Sequence, residues 1–355
     1  SGDESRMDDQ EIYFALSQDG ITWSDLNEND PVLTSELGDK SVRDPYIIRS
    51  AEGDRFYLIA TDLDIRNGKY GSQWWTRDGS KDLIIWESTD LVNWTNHRAV
   101  DVGSSIQADH VWAPEAIYDE VTGEYLVYWS SSVKTDQYEK SRIYVAKTRD
   151  FYTFTQPEVY SDDPNGNIDA SILKVDEKYY RLIKDNKDAY VTLESADQLL
   201  SYVQGEKNRG SVFKKVKNTE LESYKGYYEG PTMFRFINED KWCALVDEYG
   251  GANRGYIPFI SEDIGAENSF HLMKDDTYLM PTGAKHGTVI PVTREEYDAL
   301  QEKWTVKSDI EPQEEPVLEY NFEEKSEGTI LDVSGKGNHG KIHGNAVFKK
   351  DAEKG

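Results

Sequence analysis

A single cysteine, Cys243, stands in the 355 residues, so no disulfide braces the chain. Its setting, Lys241-Trp242-Cys243-Ala244-Leu245-Val246, reads as a strand carrying a small buried hydrophobe. Long apolar runs are also missing: none approaches the ~18–20 residues of a membrane-spanning helix. Positive charge is scarce, with 40 Lys and Arg against 67 Asp and Glu and a formal net charge of -27. The clustered cations that hold phosphates are therefore lacking, which excludes nucleic acid and anionic membrane as partners and favours a neutral ligand. No signal peptide is read at the opening Ser1-Gly2-Asp3, and this says nothing about export.

What the chain does have is aromatic residues, 9 Trp, 23 Tyr and 11 Phe, a load that suits a β-rich protein and sugar binding. Its length exceeds the ~250–300 residues at which single cores stop growing, so a main domain plus a smaller piece is expected. Up to about Trp304, short strands such as Phe56-Tyr57-Leu58-Ile59-Ala60 and Tyr125-Leu126-Val127-Tyr128-Trp129 alternate with Gly, Asn and Asp turns. That spacing predicts an all-β domain.

An internal repeat sharpens the prediction. A hydroxyl residue, an Asp two positions on and an aromatic four beyond that occur as Ser17/Asp19/Trp23, Ser88/Asp90/Trp94 and Thr148/Asp150/Phe154. Looser copies are Ser195/Asp197/Tyr202 and Ser261/Asp263/Phe270. In each, the Asp can accept turn N–H bonds while the aromatic packs beneath. A unit recurring every ~50–70 residues is the signature of propeller blades, and five copies predict a five-bladed β-propeller over 1–305. A β-sandwich gives no reason for such a repeat.

After Trp304 the composition changes. Residues 306–316, with Pro312 and Pro316 among charges, read as a linker, and Leu318-Glu319-Tyr320-Asn321-Phe322-Glu323 alternates like a strand. Residues 317–355 are too few for a jelly-roll core and are read as the start of a second β module.

Acidic residues are so common that the informative ones are those in apolar or turn-locked settings. Asp44 precedes Pro45-Tyr46-Ile47-Ile48, Asp169 precedes Ala170-Ser171-Ile172-Leu173, and Glu229 precedes Gly230-Pro231-Thr232-Met233. On different blades, carboxyls at equivalent strand starts converge on the axis. One protonated and one ionised carboxyl are what glycosidic cleavage needs, and a third nearby can raise the pKa of the acid. The alternative is that all three are strand-end acids serving turns.

At these residues the chain resembles glycoside hydrolase family 43. The matching elements are Arg43-Asp44-Pro45, Trp112-Ala113-Pro114-Glu115, Asn167-Ile168-Asp169-Ala170, Glu229-Gly230-Pro231 and Lys285-His286-Gly287-Thr288-Val289-Ile290-Pro291. The resemblance implies a five-bladed propeller acting by inversion, with Asp44 as general base, Asp169 as the residue that tunes and positions the acid, and Glu229 as general acid. It also implies a substrate-facing Arg254 and an axial His286 associated with a cation such as calcium, against the plainer readings of a surface arginine and a structural histidine. Trp112 is a stacking platform or simple packing, and Trp74 and Trp75, in the segment between strands, are the aromatics placed to reach over the pocket.

The tail resembles the first strands of a laminin-G or concanavalin-like module of secreted bacterial carbohydrases. The expectation is thus a secreted, monomeric, exo-acting α-L-arabinofuranosidase that works on plant cell-wall polysaccharide and needs no cofactor for the chemistry. β-Xylosidase and exo-β-1,3-galactanase are the alternatives within the family. A non-catalytic sugar-binding propeller would have no need of three acids. A sister propeller family acting on fructans would lack the Trp-Ala-Pro-Glu and His-Gly-Thr elements.

Overall fold

The computed structural model describes residues 10–66, 78–187, 190–200, 212–222, 228–250, 252–304, 325–326, 329–334 and 337–341. After a short pair, β1 (Ala15–Ser17) and β2 (Trp23–Asp25), come four successive four-stranded antiparallel sheets. The first holds β3 (Val42–Arg49), β4 (Phe56–Asp62), β5 (Asp82–Ser88) and β6 (Arg98–Asp101). The second holds β7 (Trp112–Asp119), β8 (Glu124–Ser131), β9 (Arg142–Thr148) and β10 (Glu158–Ser161). The third holds β11 (Asn167–Val175), β12 (Lys178–Asp185), β13 (Val191–Ala196) and β14 (Lys214–Val216). The fourth holds β15 (Tyr228–Arg235), β16 (Trp242–Glu248), β17 (Gly255–Ser261) and β18 (His271–Leu272).

The sheets are the blades of a β-propeller, packed face to face. Successive side chains of a strand point to opposite faces, so a blade between two others buries both. Val127 and Trp129 of β8 pack with Ile59 and Ile85 of the first blade, while Leu126 and Tyr128 pack with Ile172 and Ile183 of the third. Leu182 and Leu193 of the third blade meet Ala244 and Val246 of the fourth. Every residue of β4 and β16 is buried, which explains the apolar runs Phe56–Ala60 and Trp242–Val246 with which they open. The first strands β3, β7, β11 and β15 adjoin their successors and line the axis.

The repeated turn forms as its residues demand. In the second copy Asp90 Oδ1 accepts the N–H groups of Val92 and Asn93, Ser88 Oγ accepts that of Leu91, and Trp94 Nε1 donates to Leu91 O. The copy at Asp19 repeats these contacts, Trp23 Nε1 donating to Gly20 O, and the copy at Asp150 repeats those of the hydroxyl and the carboxylate. Ser261 and Asp263 keep part of the pattern, with Phe270 fully buried, and Tyr202 lies outside the described residues.

The expected fifth blade is not a four-stranded sheet: among the described residues there are four such blades. Between the fourth and first blades stand the pair β1–β2, joined to Leu279 by the Trp23 N–Leu279 O and Leu279 N–Ile21 O bonds, and the extended segment 284–292. Ala284 and Val289 pack on Leu245 and Tyr256 of the fourth blade, and Ile290 and Val292 pack near Phe56 of the first. Helix α1 (Thr219–Glu222) lies between the third and fourth blades in sequence, and α2 (Arg294–Trp304) adds Leu300 to the core beside Phe56.

The chain divides into Ser1–Thr305 and Val306–Gly355. The second unit has three short antiparallel strands, β19 (Lys325–Ser326), β20 (Thr329–Ile330) and β21 (Gly340–Lys341), and a turn in which Asp332 accepts the N–H groups of Ser334 and Asn338. The linker expected at 306–316 lies outside the described residues.

Candidate active site

Each first strand opens with the same irregularity. Pairing with the second strand skips between Arg43 and Tyr46, Trp112 and Glu115, Ile168 and Ser171, and Glu229 and Thr232. The first of the two residues inside each skip is left-handed, with φ of 51° at Asp44, 47° at Ala113, 52° at Asp169 and 48° at Gly230. A bulge of this kind bends a strand and re-aims its side chains. His286, in the segment between the fourth and first blades, shares the conformation with φ of 37°. Side chains other than Gly, Asn and Asp adopt it at a cost of ~1–2 kcal/mol.

Asp44 and Asp169 therefore occupy equivalent positions, whereas Glu229 sits one residue earlier, level with Arg43, Trp112 and Ile168. The strand-start equivalence read from sequence holds for two of the three acids. Opposite that earlier position, on the second strands, stand Thr61, Ser130, Lys184 and Asp247. Each reaches into the next sector. Thr61 Oγ1 accepts the N–H of Ala113 (2.9 Å) and Ser130 Oγ that of Asp169 (3.2 Å), Lys184 Nζ donates to Glu229 Oε2 (2.7 Å), and Asp247 Oδ2 lies 3.5 Å from His286 Nε2.

These links bring the three predicted acids and His286 together. His286 Nδ1 is 3.0 Å from Asp44 Oδ1 and its Nε2 is 3.3 Å from Glu229 Oε1. Thr61 Oγ1 donates to Asp44 Oδ2 at 2.7 Å. Asp169 Oδ2 accepts the N–H of Gly230 at 3.1 Å, fixing the peptide that follows Glu229. Side-chain exposure sorts the acids: Glu229 keeps 26% and Asp44 14%, while Asp247 keeps 1%. Asp169 keeps 8% over the whole residue. Between Asp44, Asp169, Glu115 and His286 the chain leaves a cavity of about 20 Å3, room for roughly one water. A larger cavity of about 250 Å3 runs from Asp44 and His286 along apolar side chains of 12–16 and 280–292, away from Asp169 and Glu229.

The electrostatics separate the acids further. Burial works against the Asp44 carboxylate, but the hydrogen bond and charge of His286 outweigh it and hold its pKa below the usual range. Burial is likewise outweighed at Glu229 by His286 and Lys184, which keep it strongly ionised. Asp169 is raised, by burial first and then by Glu229 and Asp44. Burial pushes Asp247 up to about 6 and Glu115, which accepts the Tyr128 hydroxyl, well above the carboxylate range. Burial disfavours the His286 cation, yet Asp44 and Glu229 raise it well above 6.5. Lys184 too stays charged despite burial, through Glu229 and Asp169.

A directly ligated cation fits this set poorly. Asp169, Glu229 and His286 do offer donor atoms within 4.8 Å of one another. Both ring nitrogens already face carboxylates, however, and metal ligation needs a neutral imidazole with a free lone pair. The His286 and Lys184 cations also neutralise the charge that calcium would seek.

The other expected residues are more dispersed. Trp112 holds the position equivalent to Glu229 in the second blade, half-buried, with one face stacked on His110 at 3.9 Å between centroids. Arg254 donates twice to Glu248, at 2.8 and 3.0 Å, and pairs with Asp275, so its guanidinium is engaged in its own blade. Trp74 and Trp75 lie outside the described residues. Sequence reasoning missed Lys184, Asp247 and Thr61. The available signal for the first two was a charge inside an apolar strand, as in Leu182-Ile183-Lys184 and Leu245-Val246-Asp247.

Comparison with known proteins adds a lineage. Residues 1–298 match the glycoside hydrolase 43-related family model, described as "Probable glycosyl hydrolase domain". An α-L-arabinofuranosidase of Bifidobacterium longum subsp. longum is 33% identical over 189 residues, which cover 48% of this chain and 17% of that protein. The chain thus spans less than a fifth of that relative's length. Among solved structures, a glycoside hydrolase 62 α-L-arabinofuranosidase catalytic domain of Coprinopsis cinerea aligns with a TM-score of 0.49 and 11% identity, covering 75% of this chain and 79% of that one. An exo-β-1,3-galactanase of Clostridium thermocellum aligns with a TM-score of 0.47 and 17% identity, covering 65% and 48%.

Proposed function

The chain belongs to the glycoside hydrolase 43-related family of glycosyl hydrolase domains, and on that premise we propose that it is an inverting, exo-acting α-L-arabinofuranosidase that releases L-arabinofuranose from plant polysaccharide side chains. The observation that carries this reading is the pair of partly exposed carboxylates, Asp44 and Glu229, held at the two nitrogens of the His286 ring. A whole imidazole between them suits the wider carboxyl separation of inverting glycosidases, ~6.5–9.5 Å, better than the ~5–5.5 Å of retaining ones. The name of the 33% identical relative supports the choice of sugar. Such a substrate goes with work outside the cell.

The roles follow from the contacts. Asp44, held as a carboxylate with Oδ1 on His286 and Oδ2 on Thr61, is the base that takes a proton from the attacking water. Glu229 is the acid that protonates the leaving oxygen. Asp169 positions that acid through the Gly230 N–H, and Trp112 offers a ring face to the sugar.

An activity panel of nitrophenyl arabinofuranoside, xyloside and galactoside tests the reading. The arabinofuranoside is the expected substrate; Asp44→Asn should slow it ~10²–10⁴-fold, while Glu229→Gln should impose a loss of that size on arabinofuranosides with poor alkyl leaving groups and a smaller one on the nitrophenyl substrate. Preference for another glycoside overturns the sugar assignment, and wild-type turnover in both variants overturns the catalytic one.

A further inference from the structure

Away from the axial acids, the second blade holds a smaller arrangement around Trp112. That residue stands just before the bulge of β7, the position from which Glu229 reaches the axis in β15. Its backbone is pinned there, because the next N–H, that of Ala113, is donated to Thr61 Oγ1 at 2.9 Å. The side-chain torsions are not fixed by this bond, so the plane of the indole depends on what packs against it. His110 lies along one face, with ring centroids 3.9 Å apart and planes 25° from parallel.

His110 is itself held on several sides. Its Nδ1 lies 2.6 Å from Asp109 Oδ1, and both residues are buried, at 4% and 5% exposure. The carbonyl of His110 accepts the Ser131 hydroxyl at 2.6 Å. Asp109 N–H donates to Ser132 O at 3.0 Å, and Asp109 Oδ1 accepts the N–H of Ser132 at 3.3 Å. Gly79 comes so close that a Cβ there would stand 2.8 Å from Asp109 O and 3.3 Å from His110 Cβ, and Lys81 Nζ donates to the same Asp109 carbonyl at 3.0 Å. The imidazole cannot turn without disturbing these contacts. Its buried Nε2 has no hydrogen-bond partner among the described residues, so what that end of the ring supplies is a flat face. An aliphatic side chain would fill the space without offering one.

We propose that His110 is a positioning residue for the sugar site: locked beside Asp109, it presets the plane of the Trp112 indole so that the platform is in place before the sugar arrives. The proposal rests on the reading of Trp112 as the surface on which the sugar stacks. An indole free to turn would have to be ordered at every binding event, and that cost falls on affinity. His110 is buried against the indole and acts through it.

Leucine and phenylalanine at position 110 both remove the contact with Asp109 and differ in the flat face. The substrate for the test is whichever nitrophenyl glycoside the wild-type protein hydrolyses best. His110→Leu should raise its KM about ten-fold with kcat within about two-fold, and His110→Phe should bring KM back to within about three-fold of wild type. Added to Trp112→Ala, His110→Leu should change KM by less than about two-fold, because its effect passes through the indole. Equal KM in the two single variants, a loss confined to kcat, or additive losses in the double variant overturns the proposal. If Trp112→Ala raises KM and His110→Leu does not, the part given to His110 falls and the platform stands; if Trp112→Ala leaves KM unchanged, the platform falls and the proposal with it. A second measurement needs no variant. Proton NMR of the wild-type protein should find the His110 ring protons shifted upfield by the indole, equally with and without the free sugar that the protein releases. Unshifted protons, or a shift that appears only with sugar, contradict a preset platform.

Discussion

The imidazole of His286 stands where a side chain on Gly230 would begin: an ideal Cβ at that glycine falls 2.4 Å from its Cδ2 and 2.6 Å from its Nε2. Together with φ of 48°, this contact explains why the residue after Glu229 has no side chain. The glycine admits the ring that joins base to acid.

Gly230→Ala should therefore displace His286. The backbone alone costs ~1–2 kcal/mol for alanine in a left-handed position, and the clash adds to it. Urea denaturation should show at least that loss, and turnover should fall with it. A variant as stable and active as wild type contradicts the close approach.

Lys184→Met keeps the length and removes the charge that Glu229 accepts. Losing a charged hydrogen bond costs about 1.5–3 kcal/mol. Glu229, freed of one cation, should hold its proton to higher pH, so the alkaline limb of the kcat/KM profile should move upward. An unmoved limb shows that Lys184 has no hold on that proton.

Asp247 reverses the usual carboxylate effect. Its folded pKa of about 6 lies above the ordinary 3.8, so the folded state binds the proton more tightly than the unfolded one. Stability is then lost as pH rises from about 4 through 6, a displacement corresponding to on the order of 3 kcal/mol. Asp247→Asn removes that penalty. Thermal or urea unfolding should find the variant gaining on wild type as pH rises from about 4 through 6 and keeping that gain above it; a difference constant across that window contradicts the raised value.

The strand–turn–aromatic repeat was legible because its contacts are local: Ser88, Asp90 and Trp94 bond within seven residues, so their spacing carries the structure. The fifth blade was over-read because a count of turns cannot tell whether four strands pair, and residues 10–41 and 279–292 provide only β1, β2 and an extended segment. Asp44 and Asp169 were legible from their strand-start settings. The offset of Glu229 was not, since it depends on which residue of Glu229-Gly230 enters the bulge. Lys184 and Asp247 sit in second strands, and only cross-strand register reveals that they face Ile168 and Glu229.

The central claim is a single displacement at the sugar by water that Asp44 activates while Glu229 protonates the leaving group. Proton NMR of the first product formed from an aryl α-L-arabinofuranoside by the wild-type protein tests it most directly, before the free sugar equilibrates. The account predicts that the β-anomer appears first, because one displacement inverts the centre. The α-anomer appearing first would contradict it.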